Sequence, residues 1–379
     1  MNPKTYDAIV VGAGPAGSAT AILLAERGRR VLLLDRAGFP RQKLCTHAIM
    51  PAGLPVFERL GVLDEIEAAG AQRWYGVKLW LNGTTFLEKL PKDRVAFPYG
   101  LSLRRFDLDR ILLEAAACQD GVEVITNATV TDLVRRQGRV CGVRTTIGAD
   151  QSSFEGAVTV LAGGRHTRLI RSAGTRTFSW PIRHTAYVAY ISGIASESEP
   201  GLEGYYWHGR SASLLPADNG LRVAGVMAPP NSWPRETRGD RLLAELRRFP
   251  PLRERLCDAR LIAEPVPIRG LQSVWRGPVA KGLLLIGDAG MQSDPLFGQG
   301  ISWALRSADW AAEAIDAGLR AQEPASALRA YSKRLAIVFG HRFAAMTAVS
   351  MIEPGSMLER LVIANATVNP ASTALVLRL

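Results

Sequence analysis

The chain has 379 residues, 47% of them hydrophobic and 21% charged, the balance of a globular protein of one large domain or two ordinary ones that buries a core without disulfides. Its net charge is +11, yet its Lys and Arg are spread along the sequence without aromatic-interleaved basic runs, which argues against a nucleic-acid binder. The four cysteines, Cys45, Cys118, Cys141 and Cys257, show no CxxC or zinc-like spacing, which argues against a disulfide scaffold or a metal site and for a reducing, cytoplasmic setting.

The chain enters an apolar strand by about its sixth residue, which leaves no room for a signal peptide. The stretch YDAIVVGAGPAGSATAILLAERGRRVLLLDR then predicts a strand over Tyr6–Val11, a helix to about Glu26, and a second strand over Val31–Leu34 that ends on Asp35. Gly12, Gly14 and Gly17, with Pro15 and Ala16 between them, fit G-x-G-x-x-G, and Asp35 falls 18 residues after the last glycine. The first glycine makes the tight turn, the second admits a pyrophosphate close to the backbone, and the third lets helix and strand pack. The helix start faces the phosphates and Asp35 accepts from the ribose hydroxyls, so this βαβ unit reads as a dinucleotide site. Arg36 and Arg41 follow and are expected to contact the same cofactor.

Next comes RQKLCTHAIMPAG, with Cys45, Thr46 and His47 in succession. Residue types alone leave this group open as a catalytic couple, half of a metal site, a covalent tether or a plain loop. Two ligands without partners do not make a metal site.

SLRRFDLDRILLEAA predicts a helix near Arg105 and Asp109, and VEVITNATVTDLVRRQGRVCGVRTTI alternates as short strands. From about Gly174 to Trp275, TAYVAYISGI, LEGYYWHGR and SASLLPADNGLRVAGVMA read as strands, the last two joined by a PADNG turn. Alternation in LEGYYWHGR puts Tyr205, Trp207 and Gly209 on one face and Tyr206, His208 and Arg210 on the other. We take the second set as candidate substrate contacts.

KGLLLIGDAGMQSDPLFGQGISWALRSADWAAEAI reads as a strand, a Gly287-Asp288 turn, a loop ending at Gly298 and Gly300, and a long helix from Ile301. The later AIVFGHRFAAMTAVSMI is broken by His341 and Arg342 and reads as a packed helix, with a membrane-surface helix as the alternative. No window reaches the roughly 18 uninterrupted apolar residues of a membrane span.

The Gly287–Ile301 segment resembles the second FAD-binding segment of glutathione-reductase-type flavoproteins. The resemblance implies that Asp288 holds the ribityl chain and that the helix start at Gly300 and Ile301 faces the flavin's carbonyl edge, where a positive helix end suits a reduced flavin. Over nearly its whole length the chain resembles the FAD-dependent monooxygenase superfamily of the para-hydroxybenzoate-hydroxylase type, within the halogenase and geranylgeranyl-reductase-like branch. The fold implied is α/β, with a glutathione-reductase-type, Rossmann-like FAD-binding domain, a mostly antiparallel β-sheet substrate domain and C-terminal helices. We assign residues 1–72, 101–173 and 276–330 to the first, 73–100 and 174–275 to the second, and 331–379 to the helical segment.

The same resemblance places Arg105 near the flavin or its diphosphate, Val130 against the adenine through its backbone, and Pro295 and Phe297 at the cavity lining. In VTVLAGGRHTRLIR, Gly163 stands where the family carries an acid that organises FAD and the approach of NAD(P)H. The electron donor is therefore NADH or NADPH at a transient site, or reduced flavin from a flavin reductase partner. The implied activity is hydroxylation or epoxidation of an aromatic or polyketide-like small molecule in secondary metabolism, through a flavin C4a-(hydro)peroxide. FPRQKLCTH resembles the geranylgeranyl reductases' P-R-x-K-x-C-G up to the cysteine, so C=C reduction is the alternative. Halogenases share the oxygen-activating start but carry W-x-W-x-I-P, where this chain has only SWPIR around Trp180. A non-catalytic binder of the same fold is the remaining reading. In this frame Cys45 packs at the flavin ring, His47 is a candidate donor or base at the reactive edge, and covalent flavin attachment through either is the lesser alternative. The positive charge suits a substrate presented on an acidic carrier protein, and a free small molecule equally.

Overall fold

The computed structural model describes residues 5–43, 45–90, 96–165, 169–194, 200–208, 210–229, 239–277, 279–352 and 356–360. Gly209 and residues 361–379 of the C-terminal segment lie outside these.

The first sheet has eight strands, five of them parallel in the order Leu283–Leu285, Asp150–Leu161, Thr5–Val11, Val31–Leu34 and Val122–Ile125, with Val279–Ala280, Arg139–Ile147 and Ala128–Arg136 added antiparallel. Every residue of Val31–Leu34 is buried, because a parallel strand covered on both faces needs an unbroken apolar run. Thr5–Val11 shows the two faces separately: Ala8 and Val10 point into a core shared with helices Pro15–Ala25, Arg105–Ala117 and Gly300–Arg320. Ile9 and Val11 point the other way, toward the antiparallel strands Ala128–Arg136 and Arg139–Ile147. The expected strand–helix–strand opening is present, the helix ending at Ala25 with Glu26 as its cap. The expected helix runs over Arg105–Ala117, with Arg104 as its cap, so Arg105 is its first residue and Asp109 lies one turn inside it.

The second sheet runs Arg260–Leu261, Thr185–Ser192, Arg222–Ala228, Arg210–Pro216, Leu202–Trp207, Gly76–Leu81 and Thr84–Lys89, with Val266–Ile268 also paired to Thr185–Ser192. Its pairs are antiparallel except Leu202–Trp207 with Gly76–Leu81. On Thr185–Ser192 the odd positions Tyr187, Ala189 and Ile191 enter a core with the helix Gly239–Leu246, while Ala186, Val188 and Tyr190 face the opposite side. That opposite side closes over the first sheet's cavity.

Gly300–Arg320 and Pro324–Ser350 are the two long C-terminal helices. The second begins at Pro324, so a segment boundary at 331 falls inside it. Phe339 stacks between Trp303 and Trp310, with ring centroids 5.1 Å from each, which anchors this helix to the first. Among the described residues, no helix is long and apolar enough to cross a membrane.

Candidate functional site

The glycine turn is fixed by close approach. Gly12 has φ +109°, and a Cβ there would lie 2.7 Å from the backbone of Ala162 and Gly163, so the strand end and the 162–163 turn touch directly. A Cβ on Gly17 would lie 1.8 Å from the carbonyl oxygen of Gly12. The Asp35 carboxylate ties the turn together, accepting from Ala13 N at 2.7 Å and from Ala37 N at 2.9 Å.

A cavity of about 650 Å³ opens from this turn. It is lined by Gly12, Gly14, Asp35, Arg36, Arg41, Cys45, Thr46, Arg105, Val130, Asp288, Pro295, Gly298, Gly300 and Ile301, so fourteen of the residues singled out in the sequence, on segments far apart in the chain, share one wall. Pro15, Ala16 and Gly17 lie instead in the buried first turn of the helix. Gly287 serves packing: with φ +55°, its place for a Cβ is 3.2 Å from Ala16 Cβ, where the loop crosses the helix.

The cavity floor carries a charged cluster. Arg105 forks onto the buried Asp109, Nε to Oδ1 at 2.6 Å and Nη2 to Oδ2 at 2.8 Å. Burial works against the Arg105 charge, but Asp109 more than offsets it and holds the guanidinium firmly protonated. Arg41 Nη2 lies 3.4 Å from the same Asp109 and 3.5 Å from Asp35. Lys43, exposed at the cavity wall but closely hemmed in by protein, has its pKa pulled down by burial and then by Arg105. Burial pushes the Asp288 carboxyl up, opposed by Lys43, Arg105, Arg165 and Arg276.

At the other end the wall is Ala48, Val188, Ile268, Pro295 and Ile301, with Ser293 and Asp294. Five of the residues singled out in the sequence are placed outside the cavity wall: His47, Tyr206, His208, Arg210 and Phe297. His47 does not face the cavity between its lining neighbours Thr46 and Ala48: with φ +61°, its fully buried ring turns back to hydrogen-bond Tyr190 Oη at 2.6 Å and stack on that ring. Burial, followed by Arg105 and Arg104, takes its pKa down to about 3, so it is a neutral wall residue. Tyr206 shares the Val188 face of the sheet but gives its hydroxyl to Glu359 at 3.1 Å, away from the cavity. His208 is exposed at the hairpin turn, and that turn reverses the alternation: Arg210 pairs with Trp207, lies on the Trp207 face and reaches Glu245 at 2.6 Å. Phe297 packs against the core rather than lining the cavity.

The sequence reading missed Lys43, Val188, Ile268 and Asp294. Lys43 stood inside the quoted RQKLC stretch, and the alternation of TAYVAYIS separates Val188 from Tyr187. Asp294, in the MQSDPLF stretch, carried no such signal.

The sequence matches the FAD binding domain family over residues 5–340. The chain belongs to this family. It is 32% identical over 349 residues to the menaquinone reductase of Mycolicibacterium smegmatis, covering 84% of this chain and 78% of that protein. It is 26% identical over 328 residues to the 1H-pyrrole-2-carbonyl-[peptidyl-carrier protein] brominase of Pseudoalteromonas luteoviolacea, covering 82% of this chain and 77% of the brominase. The myxobacterial chondrochloren halogenase CndH shares its fold, with TM-score 0.84 at 22% identity over 96% of this chain and 90% of the halogenase.

The residues present fit FAD. A Cβ at Gly14 would sit 3.3 Å from Arg105 Nη2 and 3.7 Å from Arg41 Nη2, so the bare glycine leaves room where two guanidiniums meet a helix start, the chemistry of a diphosphate site. Arg41 Nε is buried there without a partner in the protein. In this FAD-dependent oxidoreductase of the FAD binding domain family, the Arg41 and Arg105 guanidiniums beside Gly14 thus share one cavity with the Asp35 carboxylate and the start of the helix Gly300–Arg320.

Proposed function

We propose that this protein is an FAD-dependent monooxygenase that hydroxylates or epoxidises an electron-rich, aromatic or polyketide-like small molecule of secondary metabolism. The observation that carries the reading is the contrast within one cavity between a charged floor and an aliphatic far wall of Val188, Ile268 and Ile301, beside which His47 is neutral and turned away. Bound FAD supplies hydride acceptance, oxygen activation and oxygen transfer. The chain positions the cofactor: Gly12, Gly14, Arg41 and Arg105 take the diphosphate, Asp35 the adenosine ribose, Val130 the adenine, Asp288 the ribityl chain, and Gly298, Gly300 and Ile301 the ring. The aliphatic wall keeps water from the reacting edge and needs no acid or base of its own. The halogenase relatives support an oxygen-activating flavin. Against halogenation, Trp180 packs edge-on against Phe343 at 5.8 Å and is not among the residues lining the cavity.

Electrons come from NADH or NADPH, or from a flavin reductase partner, since Gly163 lacks the family's acid. The substrate is a small molecule, free or held on a carrier protein as the brominase's name states for its own. The four cysteines are all free, and we place the enzyme in the cytoplasm.

A second reading, reduction of a C=C bond, is favoured by the Cys45 thiol in the cavity wall and by the menaquinone reductase relative. The two separate without oxygen. Flavin reduced under nitrogen should stay reduced when a polyprenyl or aromatic substrate is added; reoxidation under nitrogen, with a product that has gained two hydrogens across a C=C bond, would overturn oxygen transfer in favour of reduction.

A further inference from the structure

The loop that carries Asp288 is held by one side chain from outside the first sheet. Arg276 ends the strand Gln272–Arg276, which pairs with Met291–Gln292 just past that loop in a separate three-stranded sheet. Its backbone N donates to Gly290 O at 2.8 Å, and its Nη1 donates to Asp288 O and to Ala289 O, each at 3.1 Å. Three successive carbonyls at the end of the 3₁₀ turn Gly287–Ala289 therefore accept from a single residue, where the end of a helical turn otherwise leaves carbonyls without partners. Arg276 is only 8% exposed, its Nε is buried without a partner, and among the described residues no carboxylate forms an ion pair with it. Burial pulls its pKa down, and the charge that opposes this is that of Asp288. A buried cation without an ion-pair partner costs stability that an apolar side chain of similar length would not.

We propose that Arg276 is a positioning residue for the cofactor: it fixes the 288–290 carbonyls and, through its unpaired charge, keeps the Asp288 carboxylate an acceptor for the ribityl hydroxyls. The inference rests on the assignment of Asp288 to the ribityl chain. Burial pushes the Asp288 carboxyl up, and four cations oppose it. They are Lys43 from the loop after Val31–Leu34, Arg105 at the start of its helix, Arg165 from the turn after Asp150–Leu161, and Arg276. Arg105 is already forked onto Asp109, and Lys43 is itself drawn toward its neutral form by burial and then by Arg105. Arg276 has no ion-pair partner to divide its charge. An ionised carboxylate is acceptor-only, whereas a protonated one turns one oxygen into a donor. Loss of Arg276 therefore acts in two separable ways: the freed loop lowers FAD affinity at every pH, and the missing charge lets Asp288 take up its proton at higher pH.

The test is FAD affinity of the full chain, read by quenching of FAD fluorescence from about pH 5 to about pH 9. Arg276→Met should bind FAD at least about tenfold more weakly than the wild type at about pH 8, and the pH midpoint below which affinity falls should rise by about 1 unit. Arg276→Lys keeps the charge and loses the double donation, so it should lose at least about threefold in affinity with the wild-type midpoint. Asp288→Asn should bind weakly at every pH, and adding Arg276→Met to it should move no midpoint. Affinity of Arg276→Met within about threefold of the wild type, or weakened with an unmoved midpoint, would overturn the proposal. Where Arg276→Met fails to fold, Arg276→Lys decides, because undiminished affinity there, or a midpoint raised despite the retained charge, overturns the proposal as well. Asp288→Asn with wild-type affinity would refute the ribityl assignment and the proposal with it, whereas a loss there beside an unaffected Arg276→Met would refute the role of Arg276 alone.

Discussion

The two ends of the cavity are built by opposite means. At the cofactor end, backbone approach and paired charges leave almost no freedom: Gly17 sits on Gly12, and Arg105 and Arg41 converge on the one buried Asp109. At the substrate end, aliphatic side chains on a sheet face set only a shape, and the polar groups nearby, His47 with Tyr190 and His184 with Asp294, are paired with each other. A site that holds a constant ligand is specified residue by residue, whereas one that selects a variable ligand is specified by a surface.

If that contrast is right, the cofactor end should fail hardest. Asp109→Asn leaves Arg105 buried without its counter-charge, and urea unfolding should show a loss of about 3–5 kcal/mol. Gly17→Ala puts a methyl group where no space exists, and FAD affinity measured by fluorescence quenching should fall at least about a hundredfold, or about 3 kcal/mol.

His47 sharpens the comparison through pH. Its folded pKa of about 3 lies below its ordinary 6.5, so the unfolded chain takes up a proton that the folded one refuses. The stability of neutral His47 is therefore full above pH 6.5 and falls by about 1.4 kcal/mol per unit as pH drops from 6.5 toward 3. Asn tolerates the left-handed backbone, and His47→Asn should show a stability profile flatter by that slope. An identical profile would place the imidazole in contact with solvent or cavity. The smallest effect is expected at Arg210, whose half-exposed pair with Glu245 lies outside the cavity: Arg210→Ala should change stability by less than about 1 kcal/mol and leave FAD affinity unchanged.

The asymmetry also explains what was legible in the sequence. Gly12, Gly14 and Gly17 are dictated by local backbone geometry, and Asp35 and Asp288 by their place at strand ends, so each leaves a mark at fixed spacing. The strands of both sheets were readable for the same reason, since buried parallel runs and half-buried alternation differ in period. Substrate-end residues carry no such mark. Tyr206, His208 and Arg210 were placed on one face by counting in twos, but the turn at His208 reversed the chain and sent Arg210 to the other side. His47 looked like a reactive group because histidines are scarce in this chain, and only the position of Tyr190, 143 residues away, shows where its ring is held. Asp294 and His184 meet across two sheets, a contact that no local pattern encodes.

The claim on which the account turns is that oxygen from O₂ enters the organic product. The FAD-loaded enzyme, reduced under nitrogen and mixed with an electron-rich phenol, should be exposed to ¹⁸O₂ and the product weighed by mass spectrometry. A product carrying one ¹⁸O atom is the predicted result; a product that gains only hydrogen, or no oxygenated product while the flavin reoxidises, would contradict it.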